Sequence, residues 1–220
     1  MKKLLTGNEA IARGAFEAGV TVAAAYPGTP STEILENIAH YPEIYSEWSP
    51  NEKVALEVGI GASIAGARVL VAMKHVGVNV AADPLLTFAY TGVNGGLVLI
   101  SADDPGMHSS QNEQDNRFYA RFAQIPVLEP SDSQEAKDML KTAYQLSEEF
   151  DTPVLFRTTT RIAHSQSLVE LEPRTEVPLK EYVKNPQKYV MLPAYGRMRH
   201  PVVEERRKKL AAYNETSGLN

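Results

Sequence analysis

Tyr45-Ser46-Glu47-Trp48-Ser49-Pro50-Asn51-Glu52 opens a stretch that continues through a small-residue segment to Arg68 and then Val69-Leu70-Val71-Ala72-Met73-Lys74-His75. It reads as strand, sharp turn, helix, strand, with a single carboxylate, Glu52, in the first helical turn. Ser49 suits the N-cap and Pro50 the first helical position. Glu52, three residues after Ser49, then completes a capping box, which explains it without any chemistry. A carboxylate there also meets the positive end of the helix dipole. The helix is unusually bare, with Gly59, Gly61, Ala62, Ser63, Ala65 and Gly66 along it. Each interior glycine costs about 1 kcal/mol relative to alanine. Tight packing on its own sheet, or a subunit interface, is expected to offset that cost.

Working outward, helical periodicity alternates with short apolar runs. Helices are predicted over Thr6–Ala18, Ser31–Ala39 (capped by Thr29), Asn51–Ala67, Val76–Tyr90 and Asn116–Ala123. A further helix to Phe150 opens at a second capping box, Ser131-Asp132-Ser133-Gln134. Strands are predicted over Val20–Tyr26, Ile44–Trp48, Val69–Met73, Leu97–Ala102, Pro126–Leu128 and Val154–Arg157. Short apolar strands without two-residue alternation indicate a parallel sheet covered on both faces. The expected fold is α/β, doubly wound, with a mainly parallel sheet and helices on both faces. One domain, residues 1–164, is followed by an extension or linker, residues 165–220, of scattered prolines and charges. Within that extension Glu204–Ala212 is expected to form a short, solvated, charged helix.

Composition narrows the function. A net charge of -5 disfavours a nucleic-acid surface. The absence of cysteine excludes disulfides and thiolate-bound iron–sulfur clusters on these residues. No apolar run approaches membrane-spanning length and the N-terminal residues lack a signal-peptide pattern, so a cytoplasmic protein is expected. Gly92-Val93-Asn94-Gly95-Gly96 precedes a strand instead of joining strand to helix, so it is no dinucleotide fingerprint. His40, His75, His108, His164 and His200 lack metal-ligand spacing. No Walker A sequence and no Gly-x-Ser-x-Gly elbow occurs.

In open parallel sheets, sites lie beyond the carboxyl ends of the strands. Thr29 follows the first predicted strand, Glu52 the second, Lys74-His75 the third and Asp103–Gln114 the fourth. Arg157-Thr158-Thr159-Thr160-Arg161 follows the last. The right-handed crossover rule sets these loops along one rim. The residue pattern by itself stops at an α/β domain with a polar rim and names no reaction.

Tyr26-Pro27-Gly28-Thr29-Pro30-Ser31 resembles the Tyr-Pro-x-Thr-Pro-Ser turn of the thiamine-diphosphate-dependent 2-oxoacid:ferredoxin oxidoreductases. Glu47–Ala55, Met73–Asn79, Ala102–Gly106 and Ser109-Ser110-Gln111 sharpen the likeness toward the indolepyruvate branch of that family, over nearly the whole chain. The resemblance implies that Glu52 is the catalytic glutamate, hydrogen-bonded to N1′ of the cofactor's aminopyrimidine, which favours the tautomer that deprotonates the thiazolium C2. It implies that Thr29 contacts the substrate carboxylate. It sets His75 and the Asp103–Gln111 loop at the border of the pocket, so that Glu52 and His75 are the cofactor-binding candidates. Oxidative decarboxylation to an acyl-coenzyme A, with electrons passing to ferredoxin, is the implied activity.

The chain also departs from the family. It has no Gly-Asp-Gly motif to hold the diphosphate through a metal, and no cysteines for clusters. It is therefore expected to be the pyrimidine-side domain alone and inactive by itself. Magnesium and iron–sulfur clusters are expected on domains or partner chains outside these residues. The expected partners are a diphosphate-side thiamine domain, a ferredoxin-type cluster domain or subunit, and ferredoxin, in an oligomer, with no nucleic acid and no membrane. The pyrimidine half of a non-oxidative decarboxylase of the sulfopyruvate type, or a non-catalytic assembly subunit, are the other classes compatible with the sequence.

Overall fold

The computed structural model describes residues 1–219. A first strand, β1 (Lys2–Thr6), leads into α1 (Gly7–Glu17), β2 (Val22–Ala25), α2 (Thr32–Ile38), β3 (Tyr45–Trp48), α3 (Glu52–Ile64) and β4 (Val69–Lys74). Two short helices follow, α4 (His75–Val80) and α5 (Ala82–Thr91), then β5 (Leu97–Asp103), α6 (Arg117–Ala123), β6 (Val127–Leu128), α7 (Ser133–Glu149) and β7 (Val154–Thr159). The chain ends through α8 (Thr160–His164), β8 (Gln166–Glu170), α9 (Pro186–Tyr189) and α10 (Pro193–Asn214).

Six strands form one parallel sheet in the order β3-β2-β4-β5-β7-β6. Its centre, β4 and β5, is buried on both faces apart from half-buried Lys74, which is why those strands read as continuous apolar runs. Alternate side chains enter different cores. Leu70, Ala72, Val98 and Ile100 join Ile11, Ile34 and Leu140 beneath α1, α2 and α7. Val69, Val71, Met73, Leu97 and Leu99 join Leu56, Leu85 and Phe88 beneath α3 and α5. The sheet is thus doubly wound.

The strand order also fixes where a ligand can enter. The loop after β2 leads to α2 on one face, and the loop after β4 leads to α4 and α5 on the other. β2 and β4 are neighbours in the sheet. The crevice between their carboxyl ends is a topological switch point, the usual ligand position in such folds.

Several local expectations are corrected. Glu52 closes no capping box: the N-cap of α3 is Asn51, whose Oδ1 accepts from the Val54 amide at 3.0 Å. Asn51 is as good a cap as Ser49, and packing of α3 on the sheet selects it, which makes Glu52 the first helical residue. Thr29 likewise caps nothing, since α2 begins after Ser31. The α7 cap is Asp132, accepting from the Glu135 amide, while the Glu135 carboxylate accepts from Ser131. The helix predicted over Val76–Tyr90 is two helices turning at Ala81, with Pro84 in the first turn of α5, where its missing N–H is harmless. Gly59 decides half of the question of the bare helix. A Cβ there would stand 2.4 Å from Val71 Cγ2, so this face packs on the sheet, whereas Gly61 faces open space.

Two strands have no sequence forecast. β1 and β8 pair antiparallel as a separate ribbon, Lys2 opposite Glu170 and Thr6 opposite Gln166. Each buries few side chains and neither shows an apolar run. Residues after His164 then lie along the body of the fold. Arg174 donates to the Phe16 and Val20 carbonyls at 2.9 Å, and Lys180 N to the Gly66 carbonyl at 3.1 Å. α10 runs well beyond the short helix expected within it, and Arg206 is buried instead of solvated.

That arginine has a definite task. The last turn of α5 leaves carbonyls without helical donors. Arg206 donates to the Ala89 carbonyl and, at 2.6 Å, to that of Asp151. Arg199 donates to the Tyr90 and Thr91 carbonyls at 2.8 and 3.2 Å and pairs with the Asp151 carboxylate at 2.9 Å. Arg206→Leu strands one buried and one half-buried acceptor and is expected to cost about 2–4 kcal/mol, measured by denaturant unfolding. A change below about 0.5 kcal/mol would show that α10 is not bound through this contact.

Candidate active site

The site assembles from the loops at the switch point and one helix start beside it. After β2 the chain turns through Tyr26-Pro27-Gly28-Thr29-Pro30, with a cis Thr29–Pro30 peptide. The turn is held from below. Asn8 donates to the Pro30 carbonyl at 2.8 Å, Ser31 Oγ to the Gly28 carbonyl at 2.8 Å, and the Gly28 amide to Thr32 Oγ1 at 2.9 Å. Thr29 itself is exposed and its hydroxyl has no hydrogen bond to any described residue.

Glu52 is half-buried at the start of α3, since Asn51 has taken the capping role. Its carboxylate has neither a hydrogen bond nor an ion pair to any described residue. It rests instead against the backbone of α4. A Cβ built on Gly77 would stand 2.6 Å from Glu52 Cγ, 2.7 Å from Oε1 and 2.9 Å from Cδ. Only a residue without a side chain lets the carboxylate occupy that position. Sequence reasoning did not find this partnership, although one signal was present: glycine inside a helix is costly, so something must come close to it.

His75 begins α4 and is fully buried. Nε2 lies 3.2 Å from the Asn112 carbonyl, so the ring carries its proton there as donor, and Nδ1 has no partner. Asn116 Nδ2 donates to the His75 carbonyl at 3.0 Å and to Ser101 Oγ at 2.8 Å. The imidazole is therefore turned beneath the loop that follows β5. Lys74, just before it, lies along the Thr29 turn and donates to the Ser109 carbonyl at 2.5 Å.

Two aspartates organise that loop. Asp103, fully buried, accepts from Arg157 Nε at 2.7 Å, the Asn116 amide at 3.0 Å and Ser101 Oγ at 3.2 Å. Asp104 accepts from Ser110 Oγ at 2.6 Å, the Ser109 amide at 2.8 Å, Thr160 Oγ1 at 2.7 Å and the His108 amide at 3.2 Å. Burial alone would push the Asp104 carboxyl up, but these donors outweigh it and hold the group far below the ordinary carboxylate range. A carboxylate depressed by folding contributes stability that is complete above its unfolded value, about pH 4, and fades as the pH falls toward the folded value. The loop is therefore firm at neutral pH and loosens in acid. Asp104→Asn is expected to lose amide-exchange protection at His108 and Ser109 by about tenfold or more. Equal protection in the variant would show that the loop is held elsewhere.

Among the described residues, no three His, Cys, Asp or Glu side chains converge as a metal site. None of the described helices is long and apolar enough to cross a membrane. What the rim offers chemically is one uncommitted carboxylate, one uncommitted hydroxyl and a half-committed ammonium around the switch point. A carboxylate beside a side-chain-free patch of backbone suits a flat, nitrogen-bearing ring such as an aminopyrimidine, with which it would share a proton.

The chain belongs to the pyruvate flavodoxin/ferredoxin oxidoreductase, thiamine-diphosphate-binding family, whose model matches residues 13–217. It is 51% identical over 228 residues to the indolepyruvate oxidoreductase subunit IorA of Archaeoglobus fulgidus, covering 100% of this chain and 37% of that protein. The IorA subunit of Pyrococcus horikoshii is 50% identical, over 100% of this chain and 35% of its own length. A 2-oxoglutarate synthase subunit KorA of Methanothermobacter thermautotrophicus is more distant, 28% identical over 79% of this chain and 48% of its own. The chain thus spans about a third of the length of the IorA relatives. A solved 2-oxoglutarate:ferredoxin oxidoreductase from Magnetococcus marinus, with 2-oxoglutarate, coenzyme A and succinyl-CoA bound, shares the fold. The TM-score is 0.78 at 18% identity, over 96% of this chain and 45% of that one.

Proposed function

We propose that this chain is the pyrimidine-side half of a thiamine-diphosphate-dependent 2-oxoacid:ferredoxin oxidoreductase that takes an aryl pyruvate such as indolepyruvate. Residues 1–164 are the cofactor-facing domain and residues 165–220 an extension toward the rest of the enzyme. The observation that carries the reading is the free Glu52 carboxylate resting on Gly77, beside the switch point where the free Thr29 hydroxyl emerges. Thiamine diphosphate, when bound, supplies the acidic C2 position and the electron sink that decarboxylation needs. Glu52 accepts and returns the proton shared with the pyrimidine N1′. Thr29 donates its hydroxyl to the carboxylate of the substrate. The Asp104-braced loop covers His75 and excludes water from the floor of the site. Magnesium with the diphosphate, and the iron–sulfur clusters, belong to other domains or subunits, in a cytoplasmic oligomer that reduces ferredoxin.

The test is the assembled enzyme with coenzyme A, ferredoxin and a panel of 2-oxoacids. Coenzyme A-dependent reduction of two ferredoxins per carbon dioxide released, fastest with aryl pyruvates, is the expected result. Release of carbon dioxide with aldehyde and no reduction would replace this reading with a non-oxidative decarboxylase. Thr29→Val keeps the side-chain shape and removes the hydroxyl. Because Thr29 caps no helix, the melting temperature should hold, while kcat/KM falls about tenfold to a hundredfold, as for one hydrogen bond to a charged group. Unchanged kinetics would remove Thr29 from the site.

A further inference from the structure

The switch point holds a cation whose capacity the fold does not use. Lys74 ends β4, and its stem lies along the turn that carries Thr29: a Cβ on Gly28 would meet Lys74 Cβ at 3.1 Å, Cδ at 3.6 Å and Cγ at 3.9 Å. Its ammonium donates once, to the Ser109 carbonyl at 2.5 Å. An ammonium has three donors, so two remain. No carboxylate of any described residue pairs with it.

The other rim cations differ. Arg157 is committed to Asp103 and Glu129, and Arg117 to Asp115 and Glu129. Arg161 lies beyond β7, two strands from β4. An ammonium anchored through one exposed hydrogen bond, on a stem packed against Gly28 next to the unbonded Thr29 hydroxyl, is a preorganised seat for a small carboxylate. No neighbouring carboxylate cancels its charge, so its attraction for an anion is undiminished.

We propose that the Lys74 ammonium, together with the Thr29 hydroxyl, holds the carboxylate of the incoming 2-oxoacid. The assignment rests on the function proposed above and adds the residue that supplies the positive charge. It carries a kinetic signature. The carboxylate loses its charge as carbon dioxide departs, so an ion pair to it is stronger in the ground state than in the transition state. Removing such a partner raises KM and leaves kcat unchanged or higher.

The experiment uses the assembled enzyme with Lys74→Gln, which keeps a donor for the Ser109 carbonyl but no charge, and Lys74→Arg, which keeps the charge. Three quantities are measured: KM and kcat for the 2-oxoacid, the calorimetric Kd of the matching 2-hydroxy acid, and the Ki of the neutral amide of the 2-oxoacid. The hydroxy acid retains the carboxylate but cannot be decarboxylated, so its binding is read without turnover. Lys74→Gln is expected to raise KM and the hydroxy-acid Kd by about tenfold to a hundredfold, as for loss of one charge-assisted hydrogen bond. The amide Ki stays level, and Lys74→Arg recovers most of the lost affinity. Unchanged KM and Kd in Lys74→Gln overturn the proposal. So does a parallel weakening of the amide, since that means Lys74 only anchors the loop. A wild-type enzyme that oxidises no 2-oxoacid would instead overturn the function on which the proposal rests.

Discussion

Glu52→Gln in the assembled enzyme is expected to lower turnover by at least about a hundredfold, the scale of a lost general acid–base group, with almost no change in melting temperature. The structure makes this substitution unusually clean. Asn51 supplies the α3 cap, so no capping hydrogen bond depends on Glu52. Its carboxylate bonds to no described residue, so the amide leaves no partner stranded. The remaining structural contribution is the attraction of a negative charge to the first helical turn, about 0.3–1 kcal/mol. A glutamine occupies the same space against Gly77. It is far less basic than a carboxylate and cannot share a proton with N1′ in the same way. Near wild-type turnover in the variant would remove Glu52 from the chemistry, and with it the main support for the thiamine reading.

Gly77→Ala is expected to lower turnover about tenfold to a hundredfold through the same carboxylate, by displacing it from working geometry. In an ordinary helix this change stabilises by about 1 kcal/mol. Here the new Cβ would stand within 2.6–2.9 Å of the Glu52 Cγ, Oε1 and Cδ atoms. These belong to a flexible side chain, so the conflict resolves by Glu52 swinging away. Stability changes little while the carboxylate leaves its position. A double substitution separates this from general damage. Glu52→Asp withdraws the carboxylate from the crowded spot, so Gly77→Ala should cost much less in that background than in the wild type. Strict additivity in the cycle would show that Gly77 does not set the position of Glu52.

The sheet was legible in the sequence because burial on both faces leaves a mark that needs no partner to be read. Val69–Met73 and Leu97–Ala102 are apolar without alternation, which only a covered parallel sheet requires. The ribbon of β1 and β8 was not legible. Lys2-Lys3 and Glu170 lie on exposed strands that find each other across nearly the whole domain, and local pattern carries no information about a pairing of that separation. Arg206 was hidden for a similar reason. In a run of charges it reads as solvated, and only the position of α10 over the end of α5 gives its guanidinium two carbonyls to satisfy.

The candidate site divides along the same line. Sequence alone determined the alternation of strands and helices, the rim on which Thr29, Glu52 and Lys74 fall, and the candidacy of Thr29 and Glu52. These follow from local periodicity, turn residues and motif likeness. Tertiary structure alone decided which of Ser49 and Asn51 caps α3, and hence that Glu52 is left free of any capping duty. It also brought Gly77 against Glu52 and Gly28 against Lys74, residues whose spacing along the chain gives no hint of contact. Capping candidates two residues apart differ too little in local energy to be ranked, so packing of the helix on the sheet chooses between them.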